Sequence, residues 1–239
     1  MTDWSAVIDA TWPAAARRTV GPWVIRTGQG GGNRASAATA AGPFDAAEVA
    51  RGAQAMRDLG QEVVFMVRDG EDALDAVLAD AGCTVRDATL IRACPVDRLT
   101  KESVPPVTAF TVWPPLAAQR DIWAQGHIGP ARLAVMDRVT GPKTTIFGRI
   151  DDRPAGTLFV AMHDNTAMLH ALEVAPEHRR KGLAQHLTRA AARWAQAQGA
   201  TRFSLLVTAT NAGANALYAG LGLAEVGHYH YRVLPEERP

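Results

Sequence analysis

Shifted by 140 residues without a gap, this chain of 239 residues lines up with itself. Val67 falls on Val207 at the end of an apolar run, Gly42 falls on Gly182 ahead of a helical pattern, and Gly82 falls on Gly222 behind one. The order helix, buried strand, helix, glycine, long strand is written twice. A repeat of this kind constrains the architecture before any single motif does. It predicts an α/β protein built in tandem from two related halves. The stretch from Cys94-Pro95 to Pro105-Pro106, with its prolines and mixed charges, reads as the connection between them. The expected domains are therefore 1–100 and 101–239. At roughly 150 residues per domain, a chain of this length fits either one large domain or two small ones.

The two copies are unequal. Arg179-Arg180-Lys181-Gly182-Leu183-Ala184 falls on Thr39-Ala40-Ala41-Gly42-Pro43-Phe44, and Tyr218 falls on Leu78. The first copy lacks both the charged loop and the phenol, so chemistry carried by those groups belongs to the second. Charge divides the same way: residues 1–100 hold 10 Lys+Arg against 13 Asp+Glu, and residues 101–239 hold 15 against 11. The whole-chain balance of +1 gives no bulk reason to expect nucleic acid or a membrane surface as partner. No apolar run reaches the ~18 residues of a membrane span, and the first residues show no signal-peptide pattern. Cys83 and Cys94 are too few for a disulfide framework or a zinc cluster, and read as reduced thiols of a cytoplasmic protein.

The segment with chemical content runs from Glu173 to Ala184. A strand passes through a basic loop into the N-terminus of a long helix, expected over Leu183 to Gln198. Free N–H groups and the helix dipole make such a terminus attractive to anions. Gly182 lets the backbone come close to a ligand, and Arg179, Arg180 and Lys181 add charge. On composition alone a solvated basic turn is the competing reading.

Arg179, Gly182 and Ala184 resemble the Arg/Gln-x-x-Gly-x-Gly/Ala acyl-coenzyme A loop of the GCN5-related N-acetyltransferase (GNAT) superfamily. Leu172-Glu173-Val174-Ala175-Pro176 resembles that family's fourth strand. Downstream, Asn211 to Tyr218 and Gly220-Leu221-Gly222-Leu223 resemble its N-x-x-A-x-x-L-Y-x-x-x-G-F block, with Leu223 where Phe is usual. The resemblance covers about residues 108–233. It implies the GNAT fold, a mixed and mostly antiparallel sheet flanked by helices, with a degenerate amino-terminal half of the kind found in tandem members. It implies acetyl-CoA as donor and a small-molecule or peptide amine as acceptor, with direct attack of the amine on the thioester. Leu172, Val174, the loop Arg179–Ala184 (Lys181 and Leu183 included) and Asn211 would hold the cofactor, and Tyr218 would protonate the leaving thiolate. A non-catalytic acyl-CoA-binding regulatory module, or transfer of a larger acyl group, are the alternatives. Monomer and homodimer are both compatible.

An alkyl amine is mostly protonated near neutral pH and needs a base. Glu173 is the first candidate and His170 the second; strand alternation would put them on opposite faces. Acceptor contacts are expected from Trp123 and His127, around the helices Leu116–Ala124 and Pro130–Arg138, and from His228, Tyr229 and His230 on the last strand. Two histidines at i, i+2 without a third ligand do not make a zinc site, so no metal is expected. Gly28-Gln29-Gly30-Gly31-Gly32 imitates a phosphate loop. It is expected to be a hairpin turn returning through a strand at Arg34–Thr39, not a loop leading into a helix.

Overall fold

The computed structural model describes residues 2–235. The chain opens with α1 (Trp4–Thr11), β1 (Ala16–Val20), β2 (Trp23–Thr27), the single helical turn α2 (Asn33–Ser36) and the two-residue strand β3 (Thr39–Ala40). There follow α3 (Ala46–Arg57), β4 (Val64–Arg68), α4 (Asp72–Asp80), β5 (Thr84–Pro95) and α5 (Val96–Thr100). Beyond residue 100 come β6 (Ala109–Val112), α6 (Ala117–Gln125), α7 (Pro130–Arg138), β7 (Lys143–Ile150), β8 (Arg153–His163) and β9 (Thr166–Val174). A 3-10 turn at Pro176–His178 leads to α8 (Leu183–Ala197), β10 (Arg202–Thr208), α9 (Ala212–Gly220) and β11 (Ala224–Val233).

Local chemistry accounts for most of these boundaries. Asp45 caps α3 by accepting from the Glu48 amide at 2.9 Å, and Asn211 caps α9 by accepting from Ala214 at 3.1 Å. Gly82 and Gly222 follow α4 and α9 with φ of +84° and +83°, the left-handed conformation that ends a helix cheaply only at glycine. Helix α8 buries Leu183, Leu187, Ala191 and Ala195 along one stripe, which packs on β7, β8 and β9. Its partners in that core include Ile146, Leu158 and Phe203. On the opposite face of the sheet, α1 and α6 lie against β8, with Trp12, Trp123 and Phe159 packed together.

Eight strands form one sheet in the order β4-β11-β5-β10-β9-β8-β7-β6. It is antiparallel throughout except for β9 with β10. β1, β2 and β3 form a separate three-stranded sheet. An offset of 140 residues carries α4 onto α9 and the first residue of β5 onto the first residue of β11. In the sheet, β11 lies between β4 and β5, and β5 lies between β11 and β10. Strands from the two sides of residue 100 therefore alternate, and the cut at 100 divides the sequence without dividing the sheet. The connecting stretch is also not all loop, since α5 occupies its beginning.

The glycine-rich run departs from expectation. It leads into the turn of helix α2, and the return strand is only β3, paired with β2 through Trp23↔Ala40 and Val24↔Thr39. Packing calls for glycine at positions 30 and 31, and conformation calls for it at 30 and 32, with φ of +78° and +88°. A Cβ on Gly31 would stand 2.5 Å from a Val135 methyl of α7, and one on Gly30 would stand 3.0 Å from the Ala131 Cβ. The Trp12 indole N–H also donates to the Gly31 carbonyl at 3.1 Å. Backbone from the first hundred residues is pressed against a helix of the second half.

Candidate active site

β9 and β10 are hydrogen-bonded only from Thr166↔Arg202 to Leu169↔Leu205. Beyond those pairs the two strands part, and a cleft of about 970 Å³ opens between residues 169–174 and 206–208. The parting coincides with a bulge. Phe159 pairs with His170 but Thr157 pairs with Glu173, so an extra residue of β9 is accommodated opposite β8. Ala171 takes a φ of +52° there, unusual for a residue with a Cβ. Its carbonyl accepts from the Trp123 indole N–H at 2.7 Å. Trp123 is fully buried and does not line the cleft; it pins the bulge.

The bulge corrects the expected alternation. Partners of Phe159 and Thr157, two residues apart on β8, share a face, so His170 and Glu173 point the same way. Glu173 lies over Gly126 at the end of α6, where a Cβ would come within 2.5 Å of its carboxylate oxygen. It pairs with Arg179 at 2.9 Å, and Arg179 also donates to the Val174 carbonyl at 2.9 Å. His170 is 2% exposed. Arg34 donates to its Nδ1 at 2.7 Å, which leaves the Nε2 proton for Thr11 Oγ1 at 2.9 Å. Burial, and secondarily the Arg34 charge, hold its proton affinity well below the usual histidine range. The imidazole is neutral, with both nitrogens engaged.

At the cleft's other end lies the loop into α8. Gly182 caps that helix with φ of +81°, and a Cβ there would meet nothing, so conformation rather than room calls for glycine. The amides of residues 180–184 have no acceptor among the described residues. Arg180, Gly182, Leu183 and Ala184 line the cleft with Leu172 and Val174. Lys181 instead lines a neighbouring hollow with Arg149 and His186. Asn211 lines the cleft while its side-chain oxygen caps α9. Asn215, not singled out from the sequence, ties the preceding loop by donating to the Thr208 and Asn211 carbonyls at 3.0 and 2.9 Å. Tyr218, on α9, has its ring buried and also lines the cleft. Burial pushes its phenol up to about 12.

A second cavity of about 320 Å³ shares Arg34, Ala171 and Leu206–Thr208 with the cleft. Tyr229 and Tyr231 line it, together with Trp12, Asn33 and Arg132. Sequence reasoning reached Tyr229 but not Trp12, Arg34 or Arg132. Their one advance signal was the glycine run ahead of Asn33. His228 and His230 lie on the other face of β11. His230 meets Asp75 at 2.6 Å and His228 stands 3.8 Å from Asp69. His127 sits in the turn after α6 with φ of +59° and lines neither hollow. No cluster of three or more metal-ligating side chains occurs among the described residues. No helix among them is long and apolar enough to cross a membrane.

Residues 112–223 match the profile of the Acetyltransferase (GNAT) family. This segment is similar to GNAT domains. The uncharacterized N-acetyltransferase YobR of Bacillus subtilis (strain 168) is 26% identical over 238 residues, covering 94% of each chain. Among solved structures, a GCN5-related N-acetyltransferase from Kribbella flavida aligns with a TM-score of 0.73 at 22% identity, covering 96% of this chain and 93% of that one. A functionally unknown conserved protein from Staphylococcus epidermidis aligns with a TM-score of 0.72 at 10% identity, covering 97% and 96%. Both structures share the fold along nearly the whole chain, well beyond the matched segment. With the GNAT relatives goes a reaction class, acyl transfer. GNAT proteins use acetyl-CoA.

Proposed function

We propose that the protein transfers the acetyl group of acetyl-CoA to a primary amine. The observation that carries this reading is the parted β9–β10 pair, with free amides 180–184 at one end and the Tyr218 phenol on the same cleft. The amides and the α8 dipole suit a pyrophosphate. The gap between residues 169–174 and 206–208 suits the extended pantetheine arm. The amine nitrogen attacks the thioester carbonyl, a C–N bond forms, and the C–S bond breaks. The thiolate takes its proton from Tyr218, whose raised affinity keeps it protonated at neutral pH. The nitrogen's surplus proton leaves through Glu173 or water at the mouth of the cleft. His170, neutral and held from both sides, serves to position rather than to accept that proton.

The tandem reading belongs here too. We infer that residues 1–100 are a degenerate copy of the 101–239 half. The coincidence of α4 with α9 and of β5 with β11 at one offset supports it. The first copy then supplies strands and the wall of the second cavity, while the second supplies the chemistry.

The test is calorimetric titration with acetyl-CoA, followed by thiol release across a panel of amines. Micromolar binding and acceptor-dependent release are expected. Absence of acetyl-CoA binding defeats the proposal.

A further inference from the structure

The cavity beside the cleft contains two guanidinium groups, Arg34 and Arg132, that form no ion pair with any described carboxylate. Arg34 is held by uncharged partners. Its partners are the neutral His170 ring at 2.7 Å and the face of Trp12, 5.0 Å from the ring centre. Thr11 fixes the far nitrogen of His170 and itself donates to the Val7 carbonyl at 2.7 Å, so a relay rooted in α1 sets the guanidinium's place. Arg132 comes from α7 and lies over the Gly31–Gly32 backbone, its guanidinium nitrogens 3.8 Å from where a Gly32 Cβ would be. Burial, and then the Arg34 charge, make its protonated form harder to keep. Two like charges crowded into a half-buried hollow without a carboxylate between them are costly, and an anion there relieves the cost. Asp87, on β5, is the single acidic residue of the lining, and it accepts from Asn33 at 3.4 Å instead of meeting either arginine.

We propose that the acceptor is a small amine that also carries a carboxylate, of the amino-acid type, with its carboxylate held between Arg34 and Arg132. This inference rests on the acyltransferase reading of the neighbouring cleft and adds the acceptor's chemical class. The cavity meets the cleft at Ala171 and Leu206–Thr208, so an anchored carboxylate leaves the amine facing the place where β9 and β10 part. The walls of Trp12, Tyr229 and Tyr231 suit a short apolar or aromatic side chain. A volume of about 320 Å³ accommodates one amino acid.

The experiment compares free amino acids with their carboxamides and with simple alkyl amines and polyamines. It is run on the whole protein by thiol release and, independently of turnover, by ligand-observed NMR with coenzyme A present. Acids are expected to exceed their amides in kcat/KM by tenfold or more. Arg132→Gln should raise the acceptor KM at least tenfold while leaving the KM for acetyl-CoA as it was. Arg34→Gln should also raise the acceptor KM at least tenfold and serves as the second variant should Arg132→Gln fail to fold. Amides or polyamines used as well as acids overturn the inference, as does an Arg132→Gln protein that keeps its preference, or binding of neither class. Selective binding of acids without turnover upholds the carboxylate site between Arg34 and Arg132 and defeats the transfer reaction. Loss of acetyl-CoA binding in native protein defeats the transfer reaction alone.

Discussion

A phenol that opens on a cleft while its ring is buried becomes a weaker acid, and Tyr218 at about 12 stays protonated at neutral pH. Against an ordinary thiol near 8.5 its full proton transfer runs uphill, so its part is to donate a hydrogen bond to the charge growing on sulfur, with the phenolate regaining at once any proton it gives up. Tyr218→Phe is expected to lower kcat by about 100-fold, the lower end of the usual worth of a general acid. The KM for acetyl-CoA should change little; an unchanged kcat in the thiol-release assay would remove Tyr218 from the reaction. The same shift has a consequence for stability. The folded protein keeps this phenol neutral up to about 12, against about 10 in an unfolded chain. Its contribution is thus whole below pH 10 and lost as pH rises toward 12. Urea midpoints measured between pH 9 and 11 should fall, and fall less steeply in Tyr218→Phe. His170 teaches the reverse lesson about legibility. Its position on a strand beside Glu173 suggested a base, but its partners Arg34 and Thr11 come from more than a hundred residues away, where no local pattern reaches.

Among elements, the periodic ones were legible. The long helix α8, the buried run of β4 and the end of α9 at its glycine follow from apolar spacing and helix-stop residues, and the loop before α8 from its Gly and Arg positions; the Asn211 cap of α9 did not. The bulge in β9 was not, because Ala171 looks like any strand residue and its φ is imposed by Trp123 and β8. Nor was α2, where glycine spacing that serves close packing imitates a turn. Gly31→Ala should therefore destabilise by about 1–3 kcal/mol, the usual cost of overpacking, with Val135 as the obstructing neighbour. Equal urea midpoints for variant and native protein would refute the packing account. A second element contact is electrostatic. Asp75 of α4 accepts from Arg232 at 2.7 Å and from His230 at 2.6 Å on β11, which lowers its carboxyl to about 2. That support is present above the ordinary carboxylate value and is lost as pH falls toward 2. Asp75→Asn should cost about 1 kcal/mol at pH 7, since the groups remain partly solvated, and next to nothing at pH 2.

For the whole molecule, the offset of 140 residues made two halves legible but not their interlocking. Strand pairing across such distances leaves no local trace, so nothing in the sequence said that β5 would enter beside β10 or β11 beside β4. Separating the halves should therefore destroy both. Residues 101–239 expressed alone lose the strand between β10 and β11, together with Trp12 and Arg34. That fragment is expected to be insoluble or to lack a cooperative melt, and co-expression of residues 1–100 should restore a soluble complex. A cooperative, acetyl-CoA-binding 101–239 fragment would contradict this.

The interlocked sheet also sets a timetable for the ribosome. β4 and β5 leave the exit tunnel early, yet neither can pair with the other, because the place between them belongs to β11. Until residues 224–233 have been made, the nascent chain carries two strands, the apolar β4 and the mixed β5, with open edges. Such edges are what chaperones bind and what misassembly between neighbouring chains exploits. β11 is made after every other strand of this sheet and is the one that joins β4 to β5, so the cavity lined by Tyr229 and Tyr231 and the sheet itself are completed together.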